Sequence, residues 1–157
     1  MRRLALIGLL ALVAVPSGSA ESASRVDAGS GISVLLPAGW RLAHQSITNC
    51  SDPTQRLVAT TAAGRLPKRY RVPARAALVL LMETSSGRFP TRPARFHLPR
   101  DPGNLGGCCE IPSGPGAELL FRDHGRKFYA FVYVGPRSGA RGDVLTVLNS
   151  LRISAGY

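Results

Sequence analysis

Along this chain the rhythm of apolar and polar residues changes several times, and each rhythm predicts a different element. Leu4 to Val15 is apolar without interruption, preceded by Arg2-Arg3 and followed by Pro16-Ser17-Gly18-Ser19-Ala20. Positive charge, a greasy stretch and small residues in that order are the layout of a secretory signal peptide, with cleavage after Ala20. The stretch falls short of the roughly 20 apolar residues that a permanent anchor needs. The first cysteine is Cys50, so nothing at the cut points to a lipoprotein. Residues 21–30 are small and polar and predict a flexible entry tail, with a single domain running over 31–157.

Within that domain, Ile32-Ser33-Val34-Leu35-Leu36 reads as a strand closed by the turn Pro37-Ala38-Gly39, with Trp40 as a core cover. Gln55 to Thr61 alternates in polarity and predicts a half-exposed strand. Ala76 to Thr84 is apolar on both alternating faces, which suits a central strand covered on both sides. Ala63 to Arg75, before it, is a basic loop broken by Pro67 and Pro73. Pro90, Pro93 and Pro99 reduce Arg95-Phe96-His97-Leu98 to an edge strand at best, because proline cannot donate to a ladder. Asp101 to Gly116 is a Gly- and Pro-rich loop long enough to need a pin.

The clearest signal comes next. Ala117 to Arg122, the turn Asp123-His124-Gly125-Arg126, and Lys127 to Val134 predict a β-hairpin. Phe128, Ala130, Val132 and Val134 fall on one face of its second strand, and Tyr129, Phe131 and Tyr133 on the other. After Gly135-Pro136 the spacing of Val144, Leu145, Leu148 and Leu151 becomes helical, with Asp143 placed to cap or complement the N-terminus. Leu151 to Ser154 reads as the helix end or a last short strand. Strands followed by one closing helix define an α+β domain: a mainly antiparallel β-sheet with a C-terminal helix packed on it, after a cleaved signal peptide.

The opening Gly31-Ile32-Ser33-Val34-Leu35-Leu36-Pro37-Ala38-Gly39-Trp40 and the closing Val144-Leu145-Thr146-Val147-Leu148-Asn149-Ser150-Leu151-Arg152-Ile153 resemble the two ends of small exported PsbP-like domains. The resemblance covers those two segments only. It implies an α+β sheet and a non-enzymatic accessory or binding role, and it supplies no site residues.

Composition narrows the class further. Hydrophobic content of 45% with 18% charged residues excludes a disordered chain, while 12 prolines and 17 glycines predict many turns and little helix. Arginine greatly outnumbers lysine among the 20 basic residues, which, with the abundant alanine, points to a GC-rich bacterial source. The formal charge is +11, and it is uneven. Arg65, Lys68, Arg69, Arg71, Arg75, Arg88, Arg92, Arg95 and Arg100 stand against Glu83 alone, so nearly all the excess lies in one middle third. Lys68, Arg69, Arg71, Arg75, Arg88, Arg92 and Arg95 are therefore the expected contact surface for an anionic envelope polymer, a membrane surface or an acidic protein. The alternative use of the same charges is a solvated face that keeps the protein soluble. Lys68-Arg69-Tyr70-Arg71 has the charge and aromatic mix of a nucleic-acid grip, but export disfavours that partner.

Export also governs the cysteines. In an oxidising compartment Cys50 is expected to bridge either Cys108 or Cys109, tying two turn-rich loops together and leaving one sulfur over for a free thiol or a linked dimer. The three cysteines lack C-x-x-C spacing, so neither a zinc site nor a redox motif is indicated. The patterns for a nucleophile elbow, a phosphate-binding loop and H-E-x-x-H are missing, and no cofactor is suggested. Glu83, at the end of an apolar strand, is either an acid with a raised pKa or an ion-pair partner of an arginine. The leading expectation is a secreted, non-enzymatic binding or accessory module. An extracytoplasmic hydrolase built from His44, His97 or His124 and an acid is the alternative.

Overall fold

The computed structural model describes residues 23–68, 70–106 and 108–156. The signal peptide expected over residues 1–20 and the predicted contact residue Arg69 lie outside the described residues. Ten elements of sheet and helix follow in chain order: β1 (Ser24–Gly29), β2 (Ile32–Leu36), β3 (Arg41–Leu42), β4 (Thr54–Thr60), β5 (Ala77–Thr84), β6 (Gly103–Leu105), β7 (Gly114–Asp123), β8 (Arg126–Val134), α1 (Arg141–Ser150) and β9 (Arg152–Ile153). A six-stranded sheet has the order β3-β4-β5-β8-β7-β6, and a three-stranded sheet has the order β1-β2-β9. Every strand pair is antiparallel, which with α1 gives the expected α+β class.

β5 organises the larger sheet. It lies between β4 and β8 and its apolar side chains are buried on both faces, as its unbroken apolar run requires. Ala77, Val79 and Leu81 face one core with Leu57, Ala59, Phe128, Ala130 and Val132; Leu78, Leu80 and Met82 face a second with Val58, Phe131 and Tyr133. The first core is closed by α1, through Val144, Val147 and Leu148, and by the small sheet, through Ile32, Val34, Leu36 and Ile153. Loops close the second, with Ala43, Ile47, Leu66, Val72 and Ala76 laid on the sheet. β4 is buried over its last four residues rather than half exposed, because its partners β3 and β5 place it inside the sheet.

The hairpin forms as expected, with His124 and Gly125 as its two-residue turn. Both have positive φ, 49° and 79°, the geometry that matches the twist of tight hairpins. The two end segments of the domain meet: β2 pairs with β9, and Trp40, 7% exposed, donates its indole N–H to Asp143 at 3.4 Å. Asp143 therefore lies in the first turn of α1 without capping it, and the cap position is Ala140, which makes no side-chain bond.

Three other expectations change. Ser24–Gly29 of the expected flexible tail is strand β1, held in register by Val26↔Val34 and by the Arg25 guanidinium, which donates to the Ser150 carbonyl at the end of α1. Arg95 to Leu98 forms no strand, because Phe96 turns into the first core against Phe121, 5.2 Å between ring centroids. The long loop from Asp101 is interrupted by β6, which pairs with the start of β7.

A carboxylate joins the two sheets. Glu83, near the end of β5, accepts from Arg56 Nε at 2.7 Å and from Arg126 Nε and Nη2, both at 2.8 Å. Arg126 Nη1 then reaches the Ser30 carbonyl between β1 and β2 at 2.9 Å. Of the two sequence readings of Glu83, the ion pair is the one the geometry realises: the Arg126 hydrogen bonds above all, then Arg56, hold its carboxyl below the ordinary value despite partial burial. A lowered pKa means that its stabilising effect is complete above the unfolded value near 4.5 and is lost as pH falls through the folded one. Glu83→Gln is expected to reduce unfolding free energy by about 2 kcal/mol at neutral pH, with the gap closing in that acid window. Urea melts across a pH series test this, and a gap that persists unchanged in acid would detach Glu83 from the effect.

Candidate cationic site and clefts

The loop segments around Leu66, Val72 and Ala76, which close part of the second core, run over the end of the sheet where β5 begins and β8 ends. Their apolar residues alternate with cations: Leu66, Val72 and Ala76 are buried, while Arg65, Lys68, Arg71 and Arg75 are exposed. The Val72 N–H bonds the Ser113 carbonyl at 3.1 Å and fixes this loop beside the start of β7. At the same end, Gly135 N–H donates to Ala76 O at 2.9 Å and Arg137 N–H to Ala74 O at 2.7 Å. A Cβ at Gly135 would lie 2.5 Å from the Pro73 and Ala74 carbonyls, so only glycine permits this approach. The returning loop at Leu98–Pro99 is held there by Arg141, whose Nη2 donates to both carbonyls, at 2.6 and 3.0 Å.

This end therefore gathers Arg65, Lys68, Arg71, Arg75, Arg100, Arg137 and Arg141, all exposed, from three separate segments. The acids within those segments are Asp101 and Asp143. Among the described residues none of the seven cations pairs with a carboxylate.

The remaining predicted contact residues lie elsewhere. Arg88, Arg92 and Arg95 belong to the loop that leaves the opposite end of β5, which an eight-residue strand sets about 24 Å away. Arg88 and Arg95 are exposed, but Arg92 is committed inside the fold. It bonds Asp123 Oδ2 and the Leu151 carbonyl, both at 2.9 Å, and the Leu148 carbonyl at 3.3 Å, so it satisfies the C-terminal end of α1. The linear run of cations is thus not one patch. Arg137 and Arg141, which the sequence reading left out, replace the far-end members through the β8–α1 connection.

Two clefts of about 280 Å³ flank the hairpin. One lies at the cationic end, walled by Leu98, Pro99, Ala117, Val132, Val134 and Pro136, with Arg100 and Arg141 on its rim. The other lies on the second core and is bounded by Met82, Leu105, Cys109, Ile111, Tyr129 and Phe131. Beside it the Tyr133 hydroxyl donates to the Pro112 carbonyl at 2.6 Å, and burial, with the Glu118 charge adding to it, pushes that phenol above its ordinary pKa.

Cys50 is bonded to Cys109, which resolves the choice left by the adjacent pair. The bridge fastens the loop before β4 to the loop before β7, and the Asn49 N–H to Cys109 carbonyl bond lies alongside it. His44, His97 and His124 are exposed and on separate loops. His124 bonds only its neighbour Asp123, at 2.8 Å, and among the described residues no hydroxyl or thiol bonds any histidine. No group of three His, Cys, Asp or Glu side chains that could hold a metal ion occurs among the described residues. Comparison with protein-family models, with curated proteins and with solved structures finds no match to this chain.

Two outcomes are expected. Cys50→Ser, which removes the Cys50–Cys109 bridge, lowers stability by about 4 kcal/mol in urea titrations through loop-closure entropy. Arg92→Ala lowers stability by about 2 kcal/mol by freeing the α1 carbonyls and Asp123, and leaves retention on a polyanionic column at the wild-type salt concentration. Weakened retention at full stability would return Arg92 to the contact surface.

Proposed function

We propose that the chain is exported, trimmed after Ala20, and acts outside the cytoplasm as a non-enzymatic binding module for an anionic polymer of the cell envelope. The leader pattern of residues 1–20 supports export. So does the Cys50–Cys109 bridge, a bond that persists in oxidising compartments. Among the described residues no helix is long and apolar enough to cross a membrane. The PsbP-like resemblance of the two end segments implies the same accessory class.

The observation that carries the reading is the gathering of Arg71, Arg75, Arg100, Arg137 and Arg141 at one end of the sheet without carboxylate partners among the described residues. Exposed charges without neutralising partners maintain a positive potential over that end, and of the five it is Arg141 that also braces the fold, through the Leu98 and Pro99 carbonyls. A flexible polyanion can follow cations spread along an edge, and its binding is strongly salt-dependent because counterions are released.

On a heparin column, used as the polyanion probe, the triple variant Arg71→Ala, Arg75→Ala, Arg137→Ala is expected to elute at clearly lower salt than wild type. The double variant Arg88→Ala, Arg95→Ala is expected to elute close to wild type. Equal displacement of both variants would reduce the site to net charge, and unchanged elution of the triple variant would remove it. Vesicles rich in anionic lipid and an acidic protein, run beside heparin, test the other partner classes. Preference for either over heparin would overturn the polymer.

A further inference from the structure

The cleft at the cationic end combines two chemistries that a polyanion alone would not use. Its walls are apolar, from Leu98, Pro99, Val132, Val134 and Pro136, and Ala117 leaves space where a larger side chain would fill it. Its rim carries two guanidinium groups. Arg141 spends Nη2 on the Leu98 and Pro99 carbonyls, and its other N–H groups meet no acceptor among the described residues. Arg100 makes no side-chain hydrogen bond or ion pair among the described residues.

From this arrangement we infer that the cleft binds a small anionic amphiphile, a single-chain carboxylate whose tail lies along Leu98, Ala117 and Val134 and whose head meets Arg100 and Arg141. The inference rests on the reading of this end as the binding surface and names a ligand class within it. The volume of about 280 Å³ is near the lower limit of ligand clefts and corresponds to about nine water-sized groups, which suits an eight-carbon chain with its head at the rim. An apolar molecule would leave the guanidinium donors to solvent, and a small anion such as acetate would leave the walls bare. Only a molecule with both ends satisfies both.

Isothermal titration with octanoate, octan-1-ol and acetate separates these chemistries at concentrations below micelle formation. Octanoate is expected to bind with one-to-one stoichiometry and about ten-fold more tightly than octan-1-ol, with acetate weaker than either. Arg100→Ala is expected to bring octanoate to the affinity of octan-1-ol, and Ala117→Phe to abolish binding. Amide chemical shifts of the wild-type protein provide a second readout that does not depend on the folding of the Phe variant. Octanoate should move Ala117, Gly135 and Gly139 and leave Met82 and Tyr129, beside the other cleft, unmoved. Equal affinity of octanoate and octan-1-ol, shifts centred on the other cleft, or no binding at all would each overturn the inference. Heparin retention that persists alongside no octanoate binding would retire the cleft alone, whereas loss of both would retire the whole surface.

Discussion

The structure depends on β5 being apolar on both faces. A strand of this kind is stable only where both sides are covered, and the described residues offer one helix with an apolar face and one small sheet, which together cover a single face. Loops must cover the other. Loop residues that lie on a core still expose alternate side chains to water, and in this protein those side chains are Arg65, Lys68, Arg71 and Arg75. The position of the charge thus follows from the burial requirement of the central strand. The Cys50–Cys109 bridge belongs to the same constraint, since loops contribute little regular hydrogen bonding and a covalent tie limits how far they can leave the core.

Elements whose signal is local could be read from the sequence. The hairpin, β5 and α1 each carry their own periodicity, and the division of Phe128, Ala130 and Val132 from Phe131 and Tyr133 follows from alternation alone. β1 could not be read in this way. Ser24–Gly29 contains two partly buried apolar residues, Val26 and Ala28, and becomes a strand because β2 offers a paired edge and Arg25 finds the end of α1. Neither partner is near it in the chain. Cys108 and Cys109 are equivalent by sequence, and only the backbone path around the short turn at 108–110 brings the second to Cys50.

The candidate site was half legible for a related reason. Charge density along the chain located the loops but could not separate cations that face solvent from those that brace the fold. Arg92 satisfies carbonyls at Leu148 and Leu151, 56 and 59 residues away, and nothing in its own segment marks that role. Conversely, Arg137 and Arg141 sit in a stretch of unremarkable charge and reach the site because the β8–α1 connection folds back onto Ala74 and Leu98. Proximity in sequence overstated the patch at one end and missed it at the other.

The division of labour among arginines gives the two ends of the sheet different physics. Arg56, Arg92 and Arg126 hold carboxylates or backbone carbonyls in partly buried positions, where ions in solution screen them weakly. The cations at the opposite end are exposed, and physiological salt limits their reach to a Debye length of about 8 Å. Raising ionic strength therefore damps the potential over that end while leaving the clamp around Glu83 nearly intact. Bracing and surface potential draw on the same residue type but respond to salt separately, because what distinguishes them is burial and the presence of an internal carboxylate.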